Sequence, residues 1–192
     1  MIKDLVLKNR SFRRFHEDHR IGMEMLEELV DLARNSASAG NKQSLKYVLS
    51  NSERMNERIF PHLSWAGYLK DWEGPEQGEK PAAYIIILGD TAISEKFYCD
   101  EGIAAQSILL GAAEKGLGGC IIASIDRKPL RKVLKTGKNF KIRLVIALGK
   151  PKEKVMLEEA KGGNIRYWRD KEDVHHVPKR PLEEVIVKKY FE

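Results

Sequence analysis

Residues 99–126 read CDEGIAAQSILLGAAEKGLGGCIIASID, and the reading of this stretch decides the fold. Asp100 and Glu101 open a helix, where negative charge suits the positive end of the dipole. Ile103, Ala104, Ser107, Ile108, Leu110, Gly111, Ala112 and Ala113 then put apolar or small side chains on nearly every face. A helix of that kind is surrounded by protein. Gly116, Gly118 and Gly119 stop it, because glycine accepts the left-handed cap at little cost. The β-branched run that follows, residues 120–125, reads as a short buried strand.

The whole chain has 192 residues, enough for one domain with a sizeable core, and a single domain over 1–192 is expected. No apolar run is long enough to span a bilayer. The N-terminal MIKDLVLKNRSF lacks the apolar region of a signal peptide, so a cytoplasmic location is expected. Cys99 and Cys120 show no CxxC spacing and read as buried thiols in a reducing compartment, with no metal site. The net charge of +6 is uneven: residues 127–154 hold 11 Lys or Arg against one acid, Glu153, so the rest of the chain carries −4. Such a patch suits nucleic acid, a phosphorylated cofactor, an acidic partner or plain solvation. No aromatics are interleaved with it, which speaks against single-strand binding.

Outward from the central stretch, residues 1–9 give a short helix, followed by Arg10-Ser11-Phe12-Arg13-Arg14-Phe15. In a helical turn Arg10 and Arg13 would point the same way, and two guanidiniums beside a hydroxyl suit a phosphate. Residues 23–34 carry an apolar stripe of Met23, Leu26, Leu29, Val30 and Ala33, an amphipathic helix. The small, polar stretch SASAGNKQS at 36–44 lets backbone approach a ligand, and the amides of Asn41 and Gln43 both donate and accept. A strand over 45–51, a helix over 53–63 and an irregular excursion over 64–80 come next. The excursion holds Trp65, Tyr68 and Trp72 among glycines, so it reads as a lid whose aromatics either wall a pocket or form a satellite core. Residues 82–89 and 143–149 read as buried strands and 128–134 as a short helix. Residues 152–178 show no periodicity, and 182–191 close the chain as a short helix or strand. The class is α+β, with about four strands and five helices. No GxGxxG follows a strand, Gly137-Lys138 lacks the rest of a P-loop, and no triad or carboxylate pair is legible. A bound cofactor would therefore carry the chemistry of an enzyme.

Four separated segments resemble one family, the flavin nitroreductases. RSFRRF at 10–15 is similar to their N-terminal RSxRxF, and SASAGNKQS to their PSxxNxQP loop. GLGGCIIASI at 116–125 resembles their helix-exit segment, and VPKR at 177–180 their C-terminal basic segment. The resemblance implies a central, mostly antiparallel sheet of four to five strands flanked by helices, a long buried central helix and a homodimer with FMN at the interface. It implies hydride transfer from NADH or NADPH through FMN to an organic acceptor, with no dedicated catalytic residue. By position, Arg10, Ser11 and Arg13 would hold phosphate and ring edge, with Lys179 and Arg180 completing the phosphate site. Ala37, Ser38, Ala39, Asn41 and Gln43 would reach the flavin from the other subunit, while Ile122, Ala123 and Ser124 face its redox edge. Apart from the resemblance, Trp65 and Tyr68, large and amphipathic on a glycine-rich loop, are the candidates for the wall of the substrate pocket. Ala37, Ser44 and Leu45 stand where the family has proline, proline and an aromatic. The alternatives are another flavin reaction on the same fold, such as reductive dehalogenation, enone reduction or flavin destruction, a flavin-binding protein without turnover, and a basic nucleic-acid-binding module without flavin.

Overall fold

The computed structural model describes residues 1–191. The chain divides into two compact units: residues 1–65 with 73–152, and residues 66–72 with the chain from 153 onward. Among the described residues, no helix is long and apolar enough to cross a membrane.

The larger unit runs α1 (Ile2–Lys8), β1 (Phe15–His16), α2 (Met23–Arg34), β2 (Leu45–Ser50), α3 (Glu53–Ile59), β3 (Ala83–Asp90), α4 (Asp100–Glu114), β4 (Gly118–Ile122), α5 (Arg127–Leu134) and β5 (Phe140–Pro151). Its sheet has the order β1-β5-β3-β2, with β4 also on β5, and every pairing is antiparallel. The expected α+β class with a central antiparallel sheet is what the structure shows. β3 is buried at every position, as its uninterrupted apolar run requires. Leu26, Leu29 and Ala33 of α2 pack with Ala105, Ile108 and Ala112 of α4 over Ile85, Ile87, Ile146 and Leu148 of the sheet. Each large side chain so buried contributes about 1.5–3 kcal/mol.

α4 ends in a Schellman cap: Leu117 N–H donates to Ala112 O at 2.8 Å and Gly116 N–H to Ala113 O at 3.3 Å. Gly116 takes φ +73°, the left-handed value the cap demands. Within one chain, however, α4 is not covered all round: Gly102, Ile103 and Gln106 are exposed on one side. Cys99 is exposed and only Cys120 is buried, because residue 99 precedes the helix rather than facing its packed side.

The structure departs from the sequence reading at several points: the helix over 53–63 ends at Ile59, and the element over 182–191 is a helix only at Leu182–Val185. β4 stops at Ile122, and β5 extends from Phe140 to Pro151 because its polar ends still find ladder partners in β3 and β1. A register shift between Ile87 and Leu88 of β3 leaves Arg143 without a partner in that strand. The Arg143 guanidinium instead donates to both carboxylate oxygens of Glu101, at 2.6 and 3.0 Å.

A further difference is a sheet inside the aperiodic stretch. The smaller unit holds β6 (Val155–Glu159), β7 (Trp168–Arg169), β8 (His175–Lys179) and α6 (Leu182–Val185). β6 runs parallel to β8 and β7 antiparallel to it. Charge pairs define this sheet more than apolar alternation does. His176 lies between Asp170, 2.9 Å from Nε2, and Glu158 at Nδ1, with its ring stacked on Trp168 at 4.9 Å. Hydrogen bonds donated to Asp170 and then to Glu158 raise the imidazole pKa above its ordinary value. Arg169 pairs with the nearly buried Glu153 at 2.9 Å.

At Gly119 an added Cβ would lie 2.5 Å from the Ala147 carbonyl oxygen and 2.8 Å from Leu109 Cδ2. Gly119→Ala is therefore expected to lower the unfolding free energy by about 1–3 kcal/mol, since backbone cannot swing aside as a side-chain end can. Urea titration followed by circular dichroism measures the difference.

Candidate functional site

Residues 9–14 are not helical. Ser11 bridges to Gly119, Phe12 N–H donates to Gly119 O at 3.0 Å, and the Phe12 ring fills the space a side chain at Gly118 would need. The segment thus becomes an extended strip beside β4, and Arg10 and Arg13 do not share a helical face. Arg10 Nη2 donates to Val6 O at 2.6 Å, while its Nε is buried with no hydrogen-bond partner among the described residues. Burial pushes the Arg10 pKa down from its ordinary value. Arg13 Nη1 donates to the carbonyl of Ser11 at 3.1 Å.

Arg14 is held by Glu79, with Nη2 donating to Oε1 at 2.7 Å, and Lys152 Nζ reaches the same oxygen at 3.0 Å. The Arg14 hydrogen bonds, and then Lys152, hold the Glu79 carboxyl down at about 2 against the opposing effect of its burial. Phe15 N–H adds a bond to Glu79 O at 3.0 Å. Glu79 therefore fastens the strip that carries Arg10, Ser11 and Arg13. It sits in the glycine-rich excursion, and nothing in its sequence neighbourhood marks it.

The 36–44 loop turns tightly around residues 39–41, with Asn41 and Gln43 at φ +52° and +51°. Few non-glycine residues adopt that region, and asparagine does so most easily. The loop is tied to the start of α4. The buried Asp100 carboxylate accepts from Ser38 Oγ at 2.7 Å and from Ala39 N–H at 3.0 Å. Ser38 Oγ accepts in turn from Gln43 N–H at 3.0 Å. The hydroxyl proton of Ser38 and the N–H of Ala39 are thus committed to Asp100. Asn41 and Gln43 are exposed, and Gln43 Nε2 donates to Asn41 Oδ1 at 3.1 Å. A cavity of 460 Å³ opens beside the loop, lined among others by Ala37, Ser38, Gln43, Val30, Tyr47 and Leu49. Asp100 was legible as a helix-start acid, but its hold on the loop was not.

The Ser11–Gly119 bridge sets residues 10–13 alongside β4, whose exit is Ile122, Ala123 and Ser124. The Ile122 side chain is buried, while Ala123 and Ser124 are exposed. Their carbonyls already accept, from Arg127 Nη2 at 3.2 Å and Ser64 N–H at 3.0 Å. The strip thus lies at the start of β4, with Ile122, Ala123 and Ser124 about 10–17 Å further along the strand. The 37–43 loop does not join them directly: it is anchored at Asp100, whereas Gly119 lies against Leu109, about 14 Å further along α4.

Trp65 is 9% exposed, 5.8 Å from the Phe60 ring and tight against Gly74. Tyr68 belongs to the smaller unit and is 49% exposed, with its ring 4.9 Å from Tyr167. Lys179 ends β8, and Arg180 pairs with Glu184 at 2.9 Å. In the basic stretch, Arg127 and Arg131 donate to backbone carbonyls at Ile142 and Phe140, and Arg143 pairs with Glu101.

The sequence profile of the Nitroreductase family matches residues 6–150. A protein of Archaeoglobus fulgidus, provisionally named an NADH dehydrogenase/NAD(P)H nitroreductase, is 25% identical over 164 residues, covering 81% of this chain and 88% of its own. The iodotyrosine deiodinase of Thermotoga neapolitana is 24% identical over 171 residues, covering 79% and 89%. A crystal structure from Staphylococcus epidermidis, provisionally named an NAD(P)H:FMN oxidoreductase, superposes with a TM-score of 0.71 at 15% identity, over 100% of this chain and 96% of its own. That last likeness is one of fold.

Glu79 gives the site a pH signature. Its folded pKa lies below the ordinary value of 4.5, so its contribution is complete above that value and is lost as pH falls toward about 2. Glu79→Gln is expected to cost roughly 3 kcal/mol at neutral pH, and the gap to wild type should close as the pH is lowered through that window. Urea midpoints at a series of pH values check it.

Proposed function

Because the chain belongs to the nitroreductase family, we propose that it is an NAD(P)H-dependent oxidoreductase that binds FMN at the Arg10–Arg13 strip and passes reducing equivalents to an organic acceptor. The observation that carries the reading is Arg10. Its guanidinium is partly desolvated, its Nε has no partner, and no carboxylate pairs with it among the described residues. A cation left so fits a phosphate, which would supply both the missing acceptor and the missing charge. Ser11, exposed beside it, adds a hydroxyl. Lys179 and Arg180 are assigned to the phosphate by the family resemblance alone.

FMN, when bound, would supply the hydride chemistry between NADH or NADPH and an acceptor such as a nitroaromatic or quinone. The chain's own part is to bind and to orient. Asn41 and Gln43 present exposed amides suited to the carbonyls and ring nitrogens of a flat heterocycle, and Asp100 fixes the loop that carries them. Ala37, Ser38 and Ala39 shape that loop, and Ile122, Ala123 and Ser124 offer backbone at the exit of β4. We assign the loop and the strip to different subunits of a homodimer. The exposed side of α4 at Ile103 supports such an interface, as does the separation of the two clusters within one chain. Trp65 and Tyr68 remain the proposed acceptor wall. A second reading, reductive dehalogenation on the same fold, draws on the deiodinase likeness.

Purified protein is expected to be yellow and to release FMN rather than FAD on heating. Colourless protein that fails to take up added FMN overturns the assignment. Arg10→Ala should weaken FMN binding by about 1.5–3 kcal/mol, a charged contact, and Asn41→Ala by about 0.5–1.5 kcal/mol, a neutral one. Flavin titration ranks the two.

Turnover should give parallel initial-rate lines at several acceptor concentrations, since donor and acceptor use one stacking site in turn. Tyr68→Leu should raise the acceptor KM while FMN content and Tm stay nearly constant. A change in Tm with unchanged kinetics would assign Tyr68 to packing against Tyr167.

A further inference from the structure

A second cavity, of 320 Å³, opens in the larger unit between the turn after β1, α3 and residues 77–84. It shares no residue with the proposed flavin site. Its volume sits at the lower end of the roughly 300–1,000 Å³ typical of small-molecule sites. Tyr84 of β3 lines it and is 1% exposed, yet its hydroxyl makes no hydrogen bond to any described residue. With no protein partner, that hydroxyl is open to whatever enters the cavity. Burial and the nearby charge of Glu17 both keep this phenol protonated, so it can accept or donate.

Around Tyr84 the walls are acidic. Glu17, Asp18, Glu53 and Glu57 face the cavity against Arg20 and Lys80. Both cations are engaged. Arg20 Nη2 lies 3.1 Å from Glu53, and Lys80 Nζ sits over the Phe60 ring at 4.9 Å. Glu17 Oε2 accepts from the Lys80 N–H at 3.2 Å and from the Gly78 N–H. Asp18 and Glu57 have no ion pair among the described residues and are exposed at the rim. Phe60, Pro81 and Ala82 add an apolar wall between floor and rim.

We propose that this cavity is a binding site for a small aliphatic diamine, one ammonium donating to the Tyr84 hydroxyl at the floor and the other pairing with Asp18 and Glu57 at the rim. The short methylene chain between the charges lies on Phe60, Pro81 and Ala82. An anion would meet the unpaired carboxylates, and a neutral alcohol would leave the rim charges unanswered.

Calorimetric titration of the full chain with putrescine tests the site. Saturable one-to-one binding per chain is expected, tighter than that of butylamine, with succinate silent. Tyr84→Phe and Glu57→Gln should each weaken putrescine about tenfold or more, as loss of a charge-assisted bond requires. No saturable heat, or equal affinity in all three proteins, would overturn the proposal. Neither residue touches the Arg10 strip, so flavin content is expected to stay at the wild-type level and reports on the flavin assignment separately.

Discussion

β5 is paired along both edges, with β3 reading it from Phe140 to Leu148 on one side and β4 from Val145 to Gly149 on the other. The approach of β4 is possible only because Gly118 and Gly119 have no side chains. Phe12, Pro151, Leu109 and the Ala147 carbonyl already occupy the space that Cβ atoms would claim. The same absence lets residues 11–12 lie against Gly119. One steric constraint therefore sets the sheet, the start of β4 and the strip bearing the proposed phosphate ligands.

α4 connects that contact to the second half of the site. Its first turn holds Asp100, which takes the Ser38 hydroxyl and the Ala39 N–H. Its next residue, Glu101, takes Arg143 from the irregular point of β5. Its last turn delivers the chain through Gly116 to β4. The two acids do more than complement the helix dipole, since they join loop and sheet to one rigid element. Exposed ion pairs contribute little in general. These are partly or wholly buried and multiply bonded, so their value lies in holding a single geometry.

Much of the fold was legible because its signals are local. The apolar stripe of 23–34 gives α2 its observed bounds, and the uninterrupted run in β3 gives a strand buried on both faces. The helix–glycine–strand order of 99–122 likewise follows from composition alone. The sheet of β6, β7 and β8 was not legible. Its pairing rests on His176 with Asp170 and Glu158 and on Arg169 with Glu153, contacts between charged residues that look like a solvated stretch when read in sequence. The helical placement of Arg10 and Arg13 failed for a related reason: the bridge to Gly119, a residue more than a hundred positions away, overrides local preference.

The sequence by itself determined which residue types were available: two arginines and a serine in one segment, two amides in a small-residue loop, a helix apolar enough to need cover. Those follow from composition and spacing, which need no partner to be read. Tertiary structure alone decided how each is used. It left Arg10 Nε without an acceptor among the described residues, turned Arg14 onto Glu79, drew Ser38 and Ala39 to Asp100, and left the Tyr84 hydroxyl facing a cavity. Each of these depends on which distant group the fold brings within about 3 Å, the range at which hydrogen bonds are made or missed, and sequence spacing carries no information on that scale.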